Sequence, residues 1–276
     1  MPVFSDTAYA KINLALHVRN RREDGYHELE TLFGFVDAGD CLTVSPADQI
    51  SLSISGPFEQ DLDESDDNLI LKTARLLQKQ FDVGAGAHLT LEKNLPVASG
   101  IGGGSADAAA AARLLNRLWN LNASDEQLAH ILSKLGADIP ACISSRTALG
   151  RGTGTELSML EKPDISGVPV LLVNPLKRVS TGEVFHRWNG SDLGALQSGS
   201  ALEMTQWGRN DLEAAAMEIC PDISDVLAAL GRTGAQIARM SGSGATCFAL
   251  YQSKDACRTA RNMMPPNWWI LEGVLR

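Results

Sequence analysis

Hydrophobic and polar positions change period several times along the chain, and each change predicts an element. Residues 7–19 (TAYAKINLALHVR) alternate apolar and polar, which predicts a strand with Lys11 and Asn13 on one face. Residues 41–55 predict a further pair of strands. In DDNLILKTARLLQKQF (66–81) Leu69, Leu76 and Leu77 recur at helical spacing behind an aspartate or asparagine cap. AHLTLEKNLP (87–96) alternates again and stops at a proline. ADAAAAARLLNRLWNL then predicts a strong helix from about Ser105. Ser124 and Gln127 predict a capping box for a helix reaching Leu135, with GADIP (136–140) as a loop behind it. GRGTGTE (150–156) reads as a glycine-rich break and a domain boundary between residues 1–150 and 151–276. Beyond it, VPVLLVNP predicts a buried strand, and 210–218 and 222–230 predict helices. Residues 235–251 predict strand, glycine loop, strand; a helix near 255–264 and a strand near 267–274 follow. Strands and helices mix without a regular βαβ rhythm, so the expected class is α+β.

Composition narrows the partners. The 276 residues are 44% hydrophobic and 21% charged, with a formal charge of -9. Such a surface disfavours nucleic acid and anionic membranes. No apolar run approaches the roughly 18 residues that span a bilayer. The N-terminal stretch has no basic segment followed by an apolar core, so no signal peptide is expected. Cys41, Cys142, Cys220, Cys247 and Cys257 are scattered without CxxC spacing, which fits reduced thiols in the cytoplasm better than a zinc site.

The chemistry concentrates at LPVASGIGGGSADAAAAARLL (95–115). A strand ends, small residues follow, and a helix begins. Glycines let successive backbone N–H groups converge, and a helix N-terminus adds unsatisfied donors and partial positive charge, so the segment predicts a phosphate site. It has neither the GxxxxGK[ST] pattern nor the dinucleotide fingerprint. Gly103 is expected to exclude a side chain so that backbone can approach the phosphate. Ser105 is expected to cap the helix, with contact to a phosphate or the magnesium as its other use.

PVASGIGGGSADAAAA resembles the phosphate loop of the GHMP kinases. AYAKINLALHV (8–18) is similar to that family's N-terminal strand, and MSGSGATCFALY (240–251) to its C-terminal glycine motif. The three segments keep the family's order across nearly the whole chain. The resemblance implies a two-lobed α+β fold with its active site in the cleft between lobes, ATP and Mg2+ as cofactors, and phosphorylation of an alcohol. DGYH (24–27) and LGADIPACI narrow it to members of non-mevalonate isoprenoid synthesis that phosphorylate the 2-hydroxyl of a cytidylyl-linked erythritol. Ser99 departs from the glycine common at its position, and 176–209 matches weakly.

By this resemblance the ATP site comprises Pro96, Val97, Ala98, Ser99, Gly100, Ile101, Gly102, Gly103, Gly104, Ser105 and Ala106, with Lys93 lining the nucleotide pocket. Asp138 resembles the catalytic aspartate and Lys11 the lysine beside it; alone, they would read as a turn aspartate and a solvated strand lysine. Asn13 resembles a residue that bonds the erythritol part. Tyr26 and His27 resemble the cytidine-binding pair, and Phe185 a second stacking face. No residue is assigned to the metal. The competing readings are a homoserine- or mevalonate-type kinase, a non-catalytic GHMP-fold regulator and, more remotely, a decarboxylase of mevalonate metabolism. DGYH stands against the first and the retention of both Lys11 and Asp138 against the second.

Overall fold

The computed structural model describes residues 3–62 and 67–276. Its first strand, β1 (Phe4–Arg21), is not the half-exposed strand that its alternation predicts: every residue from 10 to 18 is buried. Both faces are covered, so Lys11, Asn13 and His17 lie inside at 3%, 3% and 1% exposure. A second long strand, β2 (His27–Ala47), begins well before the expected position 41. Its apolar run from Leu32 to Val36 is continuously buried and so shows no period of two.

The chain divides into two compact units, each drawn from three stretches. The first takes the described residues of Met1–Ala10, Ala38–Val97 and Gly102–Ser145; the second takes Lys11–Asp37, Ala98–Ile101 and Arg146–Arg276.

In the first unit, β3 (Ser51–Ser55) pairs in parallel with β4 (Gly86–Glu92), and β4 pairs antiparallel with β2, from Cys41 opposite Glu92 to Ala47 opposite Gly86. The strands expected as a pair at 41–55 are therefore held apart by β4. Gly86 makes the crossing possible: a Cβ there would lie 2.4 Å from the Gln49 nitrogen, so the connection passes directly over it. α1 (Leu69–Gln80) is capped by Asn68, whose side chain accepts from the Ile70 N–H at 2.9 Å. The expected start at Asp66 lies outside the described residues. α2 (Gly103–Leu118) buries an alanine face, which lets α1 and α4 (Ile139–Ser144) pack against it closely. α3 (Asp125–Leu132) carries the expected capping box. GADIP is only half a loop. α4 starts at Ile139 and takes Pro140 in its first turn, where the missing N–H has no partner to lose.

In the second unit, GRGTGTE is no break. β5 (Ala148–Gly152) and β6 (Glu156–Met159) form a hairpin through it, and β5 pairs with β2. Gly150 is required there because a Cβ would lie 2.7 Å from the Phe33 ring. A four-stranded sheet runs β10-β7-β9-β8, with β7 (Pro169–Asn174) wholly buried beside β8 (Ile237–Met240), β9 (Cys247–Leu250) and β10 (Trp269–Val274). α7 (Glu213–Ile219), α8 (Asp222–Gly231) and α9 (Lys254–Met263) follow the predicted helices closely. α5 (Thr181–Arg187) and α6 (Ala201–Trp207) are additional. Each is too short to show a period, though the serine caps Ser180 and Ser200 mark where they begin. Leu16, Val18, Leu171, Val173, Ile223 and Val226 belong to this unit's core.

Within the first unit, Gly39 of β2 lies against β1 so closely that a Cβ would sit 2.0 Å from the Ala8 carbonyl oxygen. Backbone cannot retreat as a side chain can. Gly39→Ala should therefore destabilise by more than about 3 kcal/mol, measured as a fall in thermal midpoint or loss of soluble protein. A melt like that of the unsubstituted chain would contradict this packing.

Candidate active site

Three polar side chains buried by β1 and β2 in the second unit, Lys11, Asn13 and Thr31, bond to one another. Lys11 Nζ donates to Asn13 Oδ1 at 3.1 Å and lies 5.0 Å from the Phe33 ring centroid. Asn13 Nδ2 donates to Thr31 Oγ1 at 2.8 Å, and Thr31 Oγ1 donates to the Ala15 carbonyl at 2.7 Å. The Asn13 backbone N–H donates to Ser241 Oγ at 3.0 Å, and that hydroxyl donates to the Gly100 carbonyl at 2.9 Å. Residues 98–101 are held from two further sides. The Lys11 N–H donates to the Ile101 carbonyl at 3.0 Å, and the Thr246 N–H to the Ser99 carbonyl at 3.1 Å. The strand motif, the first part of the glycine loop and the SGSGAT motif thus meet in one place. Lys11 is no solvated strand residue.

Glycine is compulsory at this meeting point. Gly100 has φ +77°, and a Cβ on it would lie 2.4 Å from the Ser241 carbonyl oxygen. Asn210 fastens the opposite loop: its Nδ2 donates to the Met240 and Gly242 carbonyls, each at 2.8 Å.

The DGYH turn belongs to the same unit. Asp24 Oδ1 accepts from the Tyr26 N–H at 3.0 Å and closes the turn, leaving Tyr26 65% exposed. His27 is buried against Phe185, with ring centroids 4.9 Å apart, and meets Trp188 edge-on at 5.6 Å. Phe185 therefore packs on His27 itself. Arg21 Nε donates to His27 Nε2 at 3.4 Å. Burial holds the His27 imidazole below its ordinary pKa, and the Arg21 charge lowers it further.

In the first unit α2 starts at Gly103, two residues earlier than expected, with Gly102 as its left-handed N-cap at φ 63° and ψ 22°. Ser105 is thus a first-turn residue and not the cap. No side chain caps this helix, so its first-turn N–H groups keep the character of an anion site. Pro96 and Val97 lead into it, Gly104 is exposed, and the Ala106 N–H donates to the Gly102 carbonyl at 2.8 Å. A Cβ on Gly103 would lie 3.2 Å from Lys93 Nζ. A side chain there would press on the end of a buried lysine. Lys93 is 2% exposed and pairs with Asp40 and Asp107. Asp138, half-buried, is the N-cap residue of α4, but its carboxylate does not cap that helix.

Thr31, Asn210, Trp188, Asp40 and Asp107 were not singled out from sequence. Trp188 had a signal, one helical turn beyond Phe185. Asp107 had another, as the acid inside an alanine run; Asp40 had none. Among the described residues no group of three or more His, Cys, Asp or Glu is arranged to hold a metal ion.

Two family models match the chain: "GHMP kinases N terminal domain" over residues 68–146 and "GHMP kinases C terminal" over 191–270. The 4-diphosphocytidyl-2-C-methyl-D-erythritol kinase of Novosphingobium aromaticivorans is 53% identical over 98% of this chain and 92% of its own length. A crystal structure of 4-(cytidine 5'-diphospho)-2C-methyl-D-erythritol kinase is similar at TM-score 0.82 and 32% identity, covering 99% of both chains. Homoserine kinase from Cytophaga hutchinsonii shares the fold at TM-score 0.74 and 18% identity, covering 99% of this chain and 94% of that one.

His27 supplies a test of the local electrostatics. By NMR its titration midpoint should lie below 6.5, and Arg21→Gln should raise it part of the way back. A folded-state pKa below the unfolded value means that the neutral ring contributes stability above about pH 6.5, lost as pH falls toward the folded-state midpoint. A midpoint at or above 6.5 would contradict this environment.

Proposed function

Because this chain belongs to the GHMP kinase family, we propose that it transfers the γ-phosphate of ATP to the 2-hydroxyl of 4-diphosphocytidyl-2-C-methyl-D-erythritol. The observation that carries the reading is full-length likeness: 53% identity to a relative of that name, over 98% of this chain. Likeness to the homoserine kinase bears on the fold alone.

In this reading Pro96–Ala106 bind the nucleotide phosphates, and Asp138 takes the proton of the acceptor hydroxyl. The acceptor oxygen forms a bond to the γ-phosphorus as the bond to the β-bridging oxygen breaks, and ADP leaves. The Lys11 ammonium offsets the charge that develops. Its burial beside Asn13 supports a fixed position for that charge. Asn13 bonds the erythritol part, while Tyr26, His27 and Phe185 take the cytosine; the exposed Tyr26 ring has a face to offer. Magnesium enters with the nucleotide as MgATP, in keeping with an ion that usually relies on phosphates for part of its shell. Residues 1–150 form the N-terminal, ATP-binding domain and 151–276 the C-terminal domain. The cytoplasm is the compartment proposed: no helix among the described residues is long and apolar enough to cross a membrane, and the five cysteines form no disulfide.

The direct test is ADP release from MgATP with the cytidylyl substrate, homoserine, mevalonate and galactose offered separately. Only the first should support turnover; turnover with another instead would overturn the substrate assignment. Asp138→Asn and Lys11→Met should each lower kcat by about 100-fold or more with little change in ATP affinity. Their effects should fall short of additive in the double variant. Near-normal kcat in folded Asp138→Asn would remove the base role. Tyr26→Ala and His27→Ala should raise KM for the cytidylyl substrate and spare ATP affinity; the reverse pattern would mean that the two pockets are exchanged.

A further inference from the structure

Against the first residue of α2, three ionisable side chains of the first unit are buried together, each from a different part of the chain. Lys93 follows β4, Asp40 lies in β2 and Asp107 lies in α2. Lys93 Nζ donates to Asp40 Oδ2 and to Asp107 Oδ2, both at 2.6 Å, and none of the three side chains is more than 4% exposed. The two carboxyl groups are not equivalent. Asp40 Oδ1 also accepts the N–H groups of Asn94 at 2.6 Å and Leu95 at 2.8 Å, so Asp40 has the full partner set of a carboxylate. Asp107 accepts from the lysine at Oδ2 and lies against the Asp40 carboxyl, while its Oδ1 is buried with no hydrogen-bond partner among the described residues. One ammonium therefore serves two acids, and one of those acids has a bare oxygen.

We propose that Asp107 carries a proton in the folded protein, so that Asp40, Lys93 and Asp107 form a neutral positioning unit that holds the start of α2 without placing negative charge beside its phosphate-binding end. The last clause rests on the phosphate site proposed above; the proton does not.

An uncompensated carboxylate inside a protein is costly, and taking up a proton is the usual escape. Burial pushes the Asp107 carboxyl up, against the attraction of Lys93 and with the repulsion of Asp40, to about 8. Burial pulls Lys93 down, but Asp107 and Asp40 outweigh it and leave the ammonium favoured. Charges also stand on the neighbouring elements, Lys72, Arg75 and Lys79 on α1, His88 and Glu92 on β4 and Asp138 at the start of α4, but Lys93 and Asp40 act most strongly on Asp107. The sign follows from the raised folded-state value. The contribution of Asp107 to stability is greatest below about pH 4, where it is protonated folded or unfolded, and falls as pH rises toward 8, because only the folded state keeps the proton.

Asp107→Asn imitates the protonated acid in shape and charge. The experiment melts the unsubstituted chain and Asp107→Asn side by side from pH 4.5 to 9. The midpoint of the variant relative to the parent should climb with pH and level off above about 8. A difference independent of pH would overturn the proton. Should Asp107→Asn fail to fold, carboxyl-carbon NMR of the parent still decides: an aspartate signal must move near pH 8, and its absence would overturn the proposal. ADP titrated by calorimetry at pH 7 and 9.5 tests the positioning role. The parent should lose about three- to tenfold in affinity, as one added charge near the phosphate predicts, while the variant should change much less. Equal losses in both would overturn the link to the phosphate site. Failure of either chain to bind ADP would instead reject the kinase reading and leave the melting result standing.

Discussion

The carbonyl of Gly100 lies where two pieces of backbone come within contact distance, and the geometry of the second unit's site depends on that approach. A Cβ on Gly100 would meet the Ser241 carbonyl, and one on Gly242 would lie 2.8 Å from the Gly100 oxygen. Because neither residue has a side chain, the Ser241 hydroxyl can donate to Gly100 while accepting from the Asn13 N–H. Asn13 is then fixed at its backbone, Lys11 is fixed by Asn13, and Thr31 closes the set through Ala15. A network in which each group has a partner is rigid; a single bulky residue at Gly100 would release all of it.

Two buried lysines show two ways of keeping an ammonium inside a protein. Lys93 is surrounded by acids and is held by charge. Lys11 counts among its contacts the Asn13 amide oxygen and the face of the Phe33 ring. The surroundings of Lys93 cancel its field, which suits a group that holds backbone.

Much of this was legible beforehand, where local physics decides. The alanine-rich helix, the Ser124 capping box, the strand–glycine loop–strand at 235–251 and the final helix and strand all follow from propensity, capping and period. What was hidden is what packing decides. Alternation in β1 suggested one wet face, but coverage from both sides buried Lys11 and Asn13 alike. The pairing of β3 with β4 rather than β2 turned on room above Gly86, which no period reveals. The motif residues were recognisable from their resemblance to a known family, whereas Asn210, Asp40 and Thr31 serve backbone or a neighbour and stand alone in the sequence. GRGTGTE forms a hairpin rather than a break in structure because Gly150 accommodates a ring and does not interrupt a strand.

The hydrogen bond from Asn13 to Ser241 spans 228 positions. As the chain leaves the ribosome, Lys11, Asn13 and Thr31 are made more than 200 residues before the serine that organises them. Residues 98–101 likewise wait for Ser241 and Thr246. Throughout translation, a strand that is apolar over most of its length and carries unpaired polar groups has no native partner for part of its surface. Contacts of such range are slow to close and leave surface open to mispairing. The second unit's polar network can therefore close only once residues 241–246 have been made.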